Sequence, residues 1–220
     1  MIYRHFYPKI LGGGGNNMYQ TYKIARDKAW EVLIECEVNT LPVNLAKIAK
    51  HYGIKIVPYS KSSYVQKLNI ADTDGFSTRK LFKNIIYYND NVENKGRIRF
   101  TIAHELGHCI LGHTNSGNTC YRNSETDDTD DIEFAANTFA RDILMPATVL
   151  HSLNVNSIEE ISDLCIVSRK SAKLRLKRLG ILNKRMMYNK HPLERQVHNN
   201  FKTYIKKLSD TCLLYTSPSP

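Results

Sequence analysis

The chain of 220 residues lacks several features that would place it in a broad class of protein. It has no run of 18 or more apolar residues, so the sequence predicts no membrane-spanning helix and no membrane partner. Residues 1–17 hold no apolar segment of the secretory type, and we therefore expect a cytoplasmic protein. The five cysteines are odd in number and include no CxxC pair, which argues against a disulfide framework. Cys109 and Cys165 lie in apolar helical patterns, which predicts reduced thiols in the core.

The two ends of the chain differ in character from the rest. A run of glycines at 12–15 precedes Met18, as the translation of a purine-rich ribosome-binding site would give. Residues 210–220 resemble a translated sequencing adapter. We therefore expect residues 1–17 to be a non-native or disordered leader, Met18 to be the native start, and residues 210–220 to be a non-native tail.

The most informative segment that is present reads RFTIAHELGH over residues 99–108 and contains a His-Glu-x-x-His motif. A spacing of four residues places His104 and His108 on one face of a helix, where two imidazoles can share one zinc ion. Glu105 lies about 100° round the same helix and is placed to act as a general base on water. Apolar residues at helical spacing in this segment predict a helix packed into a core. Two histidines and a glutamate on such a helix would be costly to bury without a partner.

A catalytic zinc usually has a third protein ligand, and the sequence offers two candidates. His113 stands one residue short of the last histidine of the metzincin pattern HExxHxxGxxH. Glu133 lies in a second helical pattern and would complete a site of two histidines and one glutamate, as in thermolysin. Spacing leaves both open, because His113 could instead contact substrate or cap the first helix. Asp128 or Asp130 could cap the second helix or orient a zinc-bound histidine.

Together these segments resemble the ImmA/IrrE family of zinc metallo-endopeptidases. The resemblance rests on residues 99–108, on LGH at 111–113 and on EFAANTFARDILMP at 133–146, and it covers roughly residues 18–182. It departs from the family at Ala135, where many members carry a second glutamate.

The resemblance implies an α+β, zincin-like fold and a zinc-dependent endopeptidase with one Zn²⁺ per chain. It implies His104, His108 and Glu133 as metal ligands, so that Glu133 is favoured over His113, and Glu105 as the catalytic residue. It also implies a protein substrate, a helix-turn-helix repressor of a mobile element or stress regulon, whose cleavage would release genes from repression. The same ligand set also accepts manganese, cobalt or iron, so the metal used in the cell stays open.

Such chemistry needs a donor to the oxyanion and a surface that aligns the peptide. Candidate donors are Tyr87, Tyr88, Tyr121 and His113. Ile85–Tyr88 is the candidate edge strand for alignment of a peptide by strand addition.

Periodicity predicts a small mixed sheet beside helices. The predicted helices cover 18–36, 41–51, 96–111 and the segment around Glu133, and the predicted strands cover 54–57, 75–78 and 84–89. We expect residues 18–150 to form the metallopeptidase domain. Residues 151–185 should form a helix-turn-helix-like pair, with helices from 157 to 165 and from 169 to a stop at Gly180. A basic helical or linker segment should follow at 186–209.

Charge is unevenly distributed within the net +10 of the chain. Residues 151–210 carry 13 Lys and Arg against 5 Asp and Glu, whereas residues 113–150 carry 2 against 7. The second helix of the C-terminal pair bears six basic residues: Arg169, Lys170, Lys173, Arg175, Lys177 and Arg178. A basic stripe there could contact DNA phosphates, so the alternative function is a DNA-binding regulator with a non-catalytic zinc site. We favour a solvated face that packs on the protease domain through Leu164, Leu174 and Leu179.

Overall fold

The computed structural model describes residues 17–68, 73–116 and 127–216, and the first 16 residues of the predicted leader lie outside them. The helices are α1 (Asn17–Glu35), α2 (Leu45–His51), α3 (Ser63–Leu68), α4 (Lys95–Leu111), α5 (Asp127–Leu144), α6 (Ala147–Ser152), α7 (Ile158–Cys165), α8 (Arg169–Lys184) and α9 (Pro192–Thr216). The strands are β1 (Lys55–Pro58), β2 (Gly75–Lys80) and β3 (Lys83–Tyr88). Short 3₁₀ turns cover Tyr59–Lys61 and His113–Ser116. The architecture is mostly helical with one small sheet, which confirms the predicted α+β class.

The sheet has the strand order β1-β3-β2. β1 runs parallel to β3, with Lys55 opposite Ile85, and β2 runs antiparallel to β3, with Gly75 opposite Tyr88. The prediction that Ile85–Tyr88 is an edge strand is therefore wrong, since β3 is central. Local alternation identifies a strand but contains no information on its neighbours. Here β1 pairs directly with β3, although β2 lies between them in sequence.

The helix that carries the His-Glu-x-x-His motif, α4, has a defined start and a defined end. The side chain of Asn94 accepts a hydrogen bond from the backbone N–H of Arg97 at 2.9 Å, which caps the N-terminus. Gly112 follows the last turn with φ of +86°, a left-handed conformation that favours glycine. These caps fix the observed bounds of α4, and the helix predicted at 96–111 agrees with them to within one residue.

α4 packs closely against α5 because a glycine lies at the contact. A Cβ atom added at Gly107 would lie 3.1 Å from Cδ1 of Phe139 and 3.2 Å from Cα of Ala136. The small residues of the two helices therefore let their backbones approach. This approach brings the side chain of Glu133, near the start of α5, over the histidine face of α4.

The C-terminal helix pair begins as predicted, and its second helix is longer than predicted. Ser157 and Glu160 form a reciprocal capping box at the start of α7. α8 continues through Gly180 to Lys184, so the predicted stop at Gly180 is wrong. A glycine costs a helix only about 1 kcal/mol relative to alanine. The following turn packs Leu182 against the core, which favours continuation of the helix.

The buried core is continuous along most of the chain. One cluster of buried apolar residues extends from Ala29 in α1 to Phe201 in α9 and includes Cys165 of α7. Burial raises the pKa of the Cys165 thiol to about 12, which keeps it protonated and unreactive. None of the helices in the described part of the chain combines the length and apolar character that a bilayer crossing requires.

Candidate metal centre

The two histidines of the motif are buried in α4 and face the same side. His104 is 6% exposed and His108 is 1% exposed. Their Nε2 atoms lie 3.0 Å apart, with the ring planes inclined at 70°. Two imidazole nitrogens of neighbouring turns therefore converge on one point, as the spacing of four residues predicts.

α5 supplies a carboxylate to the same point. Glu133 Oε2 lies 3.2 Å from His104 Nε2, and Oε1 lies 3.2 Å from His108 Nε2. Partial burial favours the neutral carboxyl, but the interactions with both imidazoles outweigh it and hold the pKa of Glu133 below its ordinary value. The side chain is therefore an ionised carboxylate at neutral pH.

The separations of these atoms fit a metal ion. Among the described residues, His104, His108 and Glu133 form the group whose ligand atoms lie mutually close enough to share an ion. Ligand atoms held about 2.0–2.1 Å from a tetrahedral zinc ion lie about 3.3 Å from one another. The observed separations of 3.0–3.2 Å are close to that spacing. The residues present therefore suit a metal of this class.

Neighbouring side chains fix the orientation of both rings. Nδ1 of His104 lies 3.1 Å from Oδ1 of Asn137, and Nδ1 of His108 lies 3.1 Å from Nδ1 of His113. An Nδ1–H that donates to Asn137 leaves the lone pair of His104 on Nε2, which faces the other ligands. Asn137 was missed as an orienting residue, although its position four residues after Glu133 predicts that the two share a face of α5.

His113 does not lie where a third metal ligand would have to lie. Its Nδ1 contacts the ring nitrogen of His108 that points away from the group of three. Burial, together with the nearby His108, lowers the pKa of His113 to about 3. A neutral His113 can therefore accept a hydrogen bond from Nδ1–H of His108, and the structure places it as a support to that ring.

Glu105 lies beside this group with an incomplete set of hydrogen bonds. It is 6% exposed, and its Oε2 atom has no hydrogen-bond partner within the described structure. Most buried polar atoms have a partner, so an unpaired carboxylate oxygen requires an explanation. Glu105 also lines the cleft described next, where a bound molecule could supply the missing donor.

A cavity of about 860 Å³ opens over Glu105 and Glu133. Four elements and a preceding loop form its walls: Thr73 and Asp74 before β2, Gly75 and Phe76 of β2, Phe100, Thr101, His104 and Glu105 of α4, Glu133 and Asn137 of α5, and Lys170, Ser171 and Leu174 of α8. The C-terminal helix pair thus contributes directly to the cleft. Sequence reasoning missed this role, because no local pattern shows that the start of α8 faces the residues of α4.

The arrangement of α8 corrects the predicted basic stripe and the predicted packing face. Arg175 is buried at 1% exposure and pairs with Asp142 at 3.0 Å, while Arg178 donates to the hydroxyl of Tyr22 at 3.2 Å. Arg175 therefore points into the protein, and the half-buried Arg178 contacts α1. Leu174 was expected to pack against the protease domain but is 63% exposed at the cleft, whereas Leu179 is buried as expected.

The other predicted site residues have mixed outcomes. Tyr87 is buried in the sheet and Tyr88 is half-buried, and the described cleft wall contains neither side chain. Tyr121 lies outside the described residues, as do the side chains of Asp128 and Asp130. The donor to an oxyanion is therefore not identified among the candidates.

Comparison with known proteins agrees with this geometry. A search of curated proteins returns no match to this chain. The model of the IrrE N-terminal-like domain, Peptidase M78, matches residues 49–177, which is more than half of the chain and contains all four of His104, Glu105, His108 and Glu133. The chain therefore belongs to the Peptidase M78 family, the peptidase family of the IrrE N-terminal-like domain.

Proposed function

We propose that this protein is a zinc-dependent endopeptidase with a zincin-like catalytic core. His104, His108 and Glu133 hold one zinc ion per chain, and Glu105 is the catalytic general base and acid. The convergence of three ligand groups beside a buried carboxylate with one unpaired oxygen is the observation that carries the proposal. A purely structural site would need no second glutamate beside its ligands.

Zinc in this position would supply a Lewis acid that lowers the pKa of water and polarises a peptide carbonyl. Glu105 accepts a proton from the attacking water at its unpaired Oε2 atom. It then delivers that proton to the nitrogen of the leaving amine, so the carboxylate is ionised again at the end of the cycle. Asn137 and His113 hold the two imidazoles in the orientation that the ligand set requires.

The edge of the sheet offers a place for an extended peptide. Within the described residues β2 pairs only with β3, and its Gly75 and Phe76 line the cleft. A Cβ atom at Gly75 would lie 2.6 Å from Thr101 of α4, so the glycine lets this strand approach the motif helix. Strand addition along β2 would bring a substrate backbone past Glu105.

By analogy with the family, we propose a helix-turn-helix transcriptional repressor as the substrate. The alternative function, a DNA-binding regulator, has less support. Of the six basic residues at 169–178 in α8, Arg175 is buried and Arg169 pairs with Glu159. Lys170 faces the cleft, which leaves fewer cations for a DNA backbone than the sequence suggests.

Metal content per chain tests the proposed site. Elemental mass spectrometry should find close to one zinc in the wild-type protein and a marked loss in Glu133→Ala. The His113→Ala variant is the matched control, and it should retain most of the metal because His113 touches a ligand without belonging to the group of three. If Glu133→Ala kept its zinc and His113→Ala lost it, the third ligand would be His113 and not Glu133. Absence of metal from the wild type would contradict the proposal.

A further inference from the structure

The turn between β2 and β3 exposes the two most accessible large apolar side chains of the described residues. Leu81 is 92% exposed and Phe82 is 90% exposed. Together with Lys80 and Lys83 they form the segment that we name the hairpin tip. Single exposed apolar residues are common on protein surfaces, but an adjacent leucine and phenylalanine at the end of a hairpin form a distinct apolar point.

The backbone of the hairpin tip is unusual for these residue types. Leu81 has φ of +46° and Phe82 has φ of +65°. Two-residue hairpin turns with positive φ at both positions strongly favour Asn-Gly or Asp-Gly. The chain instead places two large apolar residues there, where neither backbone preference nor burial in the core favours them.

The charges of the hairpin tip are also unfavourable in isolation. Lys80 and Lys83 occupy directly opposite positions in the antiparallel pair. Like charges in opposite positions destabilise a strand pair. The ammonium of Lys80 lies 3.0 Å from the centre of the Tyr64 ring, and no acidic residue occurs from 79 to 84. The tip therefore combines two opposed lysines with two exposed apolar side chains.

Local features that conflict with stability are expected where a surface has a function. We propose that the hairpin tip docks on an anionic phospholipid bilayer, with Leu81 and Phe82 in the acyl boundary and the two lysines at the headgroups. A convex tip needs no complementary pocket in a bilayer, whereas a stable protein–protein interface needs roughly 800 Å² on each partner. Insertion of apolar side chains and attraction of basic side chains to anionic lipid both strengthen binding to a membrane surface, and the hairpin tip offers both.

This inference revises the expectation of no membrane partner. That expectation rests on the absence of a long apolar run, which concerns helices that span a bilayer. Docking by two side chains leaves the chain on the membrane surface. The inference is independent of the metal site, because the hairpin tip contains none of its residues.

Vesicle sedimentation tests the inference with the full chain. Wild-type protein should sediment with phosphatidylcholine vesicles that contain roughly one third phosphatidylglycerol, should bind much less to pure phosphatidylcholine, and should dissociate as salt rises. The double variant Leu81→Ser/Phe82→Ser should bind at least tenfold more weakly, and Lys83→Gln should bind severalfold more weakly. The control Met186→Ser/Met187→Ser, an exposed apolar pair elsewhere, should bind like the wild type.

A second measurement reports insertion directly. The only tryptophan, Trp30, is buried at 7% exposure, so Phe82→Trp adds a probe at the hairpin tip. Its emission should shift to the blue on anionic vesicles, and brominated lipid should quench it. Failure of the wild type to sediment, equal binding by the serine double variant, or an unquenched probe would each overturn the inference. If the serine double variant lost protein cleavage in the absence of vesicles, the hairpin tip would instead bind a protein partner, and the inference would be overturned.

Discussion

Glu105 and Glu133 are two buried or half-buried glutamates whose carboxylates have different partners. Both oxygens of Glu133 face imidazole nitrogens, whereas Oε2 of Glu105 has no partner in the described structure. We therefore expect Glu105→Gln to retain the metal and to lose roughly 10²–10⁴-fold in peptide cleavage, because an amide cannot accept the proton from water. Elemental analysis and a cleavage assay on the same preparation check both parts.

The control for that experiment is Glu93→Gln, which changes an exposed glutamate just before α4. It should leave metal content and cleavage unchanged. Cleavage by Glu105→Gln at a rate close to the wild type would show that another group serves as the base.

The pair formed by Arg175 and Asp142 is the most deeply buried ion pair among the described residues. The side chains are 2% and 6% exposed, and Nη1 lies 3.0 Å from Oδ1. Asp142→Asn should lower the free energy of unfolding by about 3–5 kcal/mol, because it leaves a buried guanidinium without its charge partner. Urea denaturation measures the loss. The control, Asp163→Asn at an exposed position of α7, should change stability by less than about 0.5 kcal/mol.

The same pair predicts the acid sensitivity of the fold. Burial raises the pKa of Asp142, but the neighbouring Arg141 and Arg175 outweigh burial and hold it below the ordinary value. A carboxyl with a lowered pKa stabilises the folded state fully above its ordinary pKa of about 4, and the contribution disappears as pH falls through the folded value. Asp142→Asn should therefore lose less stability than the wild type between about pH 5 and about pH 3. Parallel acid profiles for the two proteins would contradict this assignment.

Residues whose place follows from their spacing within one helix could be predicted from the sequence. Residues whose contacts are with distant parts of the chain could not. The positions of His104 and His108 follow from one helical turn, and the helix of Glu133 follows from its apolar spacing. The partner of Arg175 is 33 positions away in sequence, so a basic pattern on α8 suggests a solvent-exposed stripe that the structure interrupts. Leu174 likewise was expected to be buried because it is apolar, but its side chain is exposed at the cleft.

Among the elements, the contact between α4 and the α7–α8 turn positions one wall of the cleft. A Cβ atom at Gly96 would lie 2.4 Å from the backbone of both Val167 and Ser168. Gly96→Ala should therefore force the turn away from α4, with a loss of about 1–3 kcal/mol in stability. It should also raise KM for a peptide substrate, because Lys170 and Leu174 follow that turn into the cleft.

Gly180→Ala is a matched control for this prediction. Gly180 lies inside α8 with open space around the position of a Cβ atom, so alanine should raise helix stability by about 0.5–1 kcal/mol. Thermal unfolding and steady-state kinetics on both variants provide the measurement. A Gly96→Ala protein as stable as the wild type would show that the turn adjusts without cost.

The strands show where prediction from sequence fails at the level of elements. The three strands were predicted near their observed bounds, since alternation and turn residues are local signals. Their order is a property of the folded chain, and it makes β2, not β3, the edge that faces the cleft. The sequence therefore predicts β2 as a strand, but it does not show that β2 is the edge best placed to bind a peptide.

At the level of the whole molecule, the continuous core bears on the predicted division into domains. Buried residues of one cluster come from α1, α4 and α5 and also from α9, where Val197 and Phe201 are fully buried. A fragment of residues 18–150 would expose the surfaces that these side chains and α8 cover. We therefore expect it to lack a cooperative thermal transition, whereas co-expression with residues 151–220 should restore one together with metal binding. A sharp transition and full zinc content in the isolated fragment would instead establish an autonomous metallopeptidase domain.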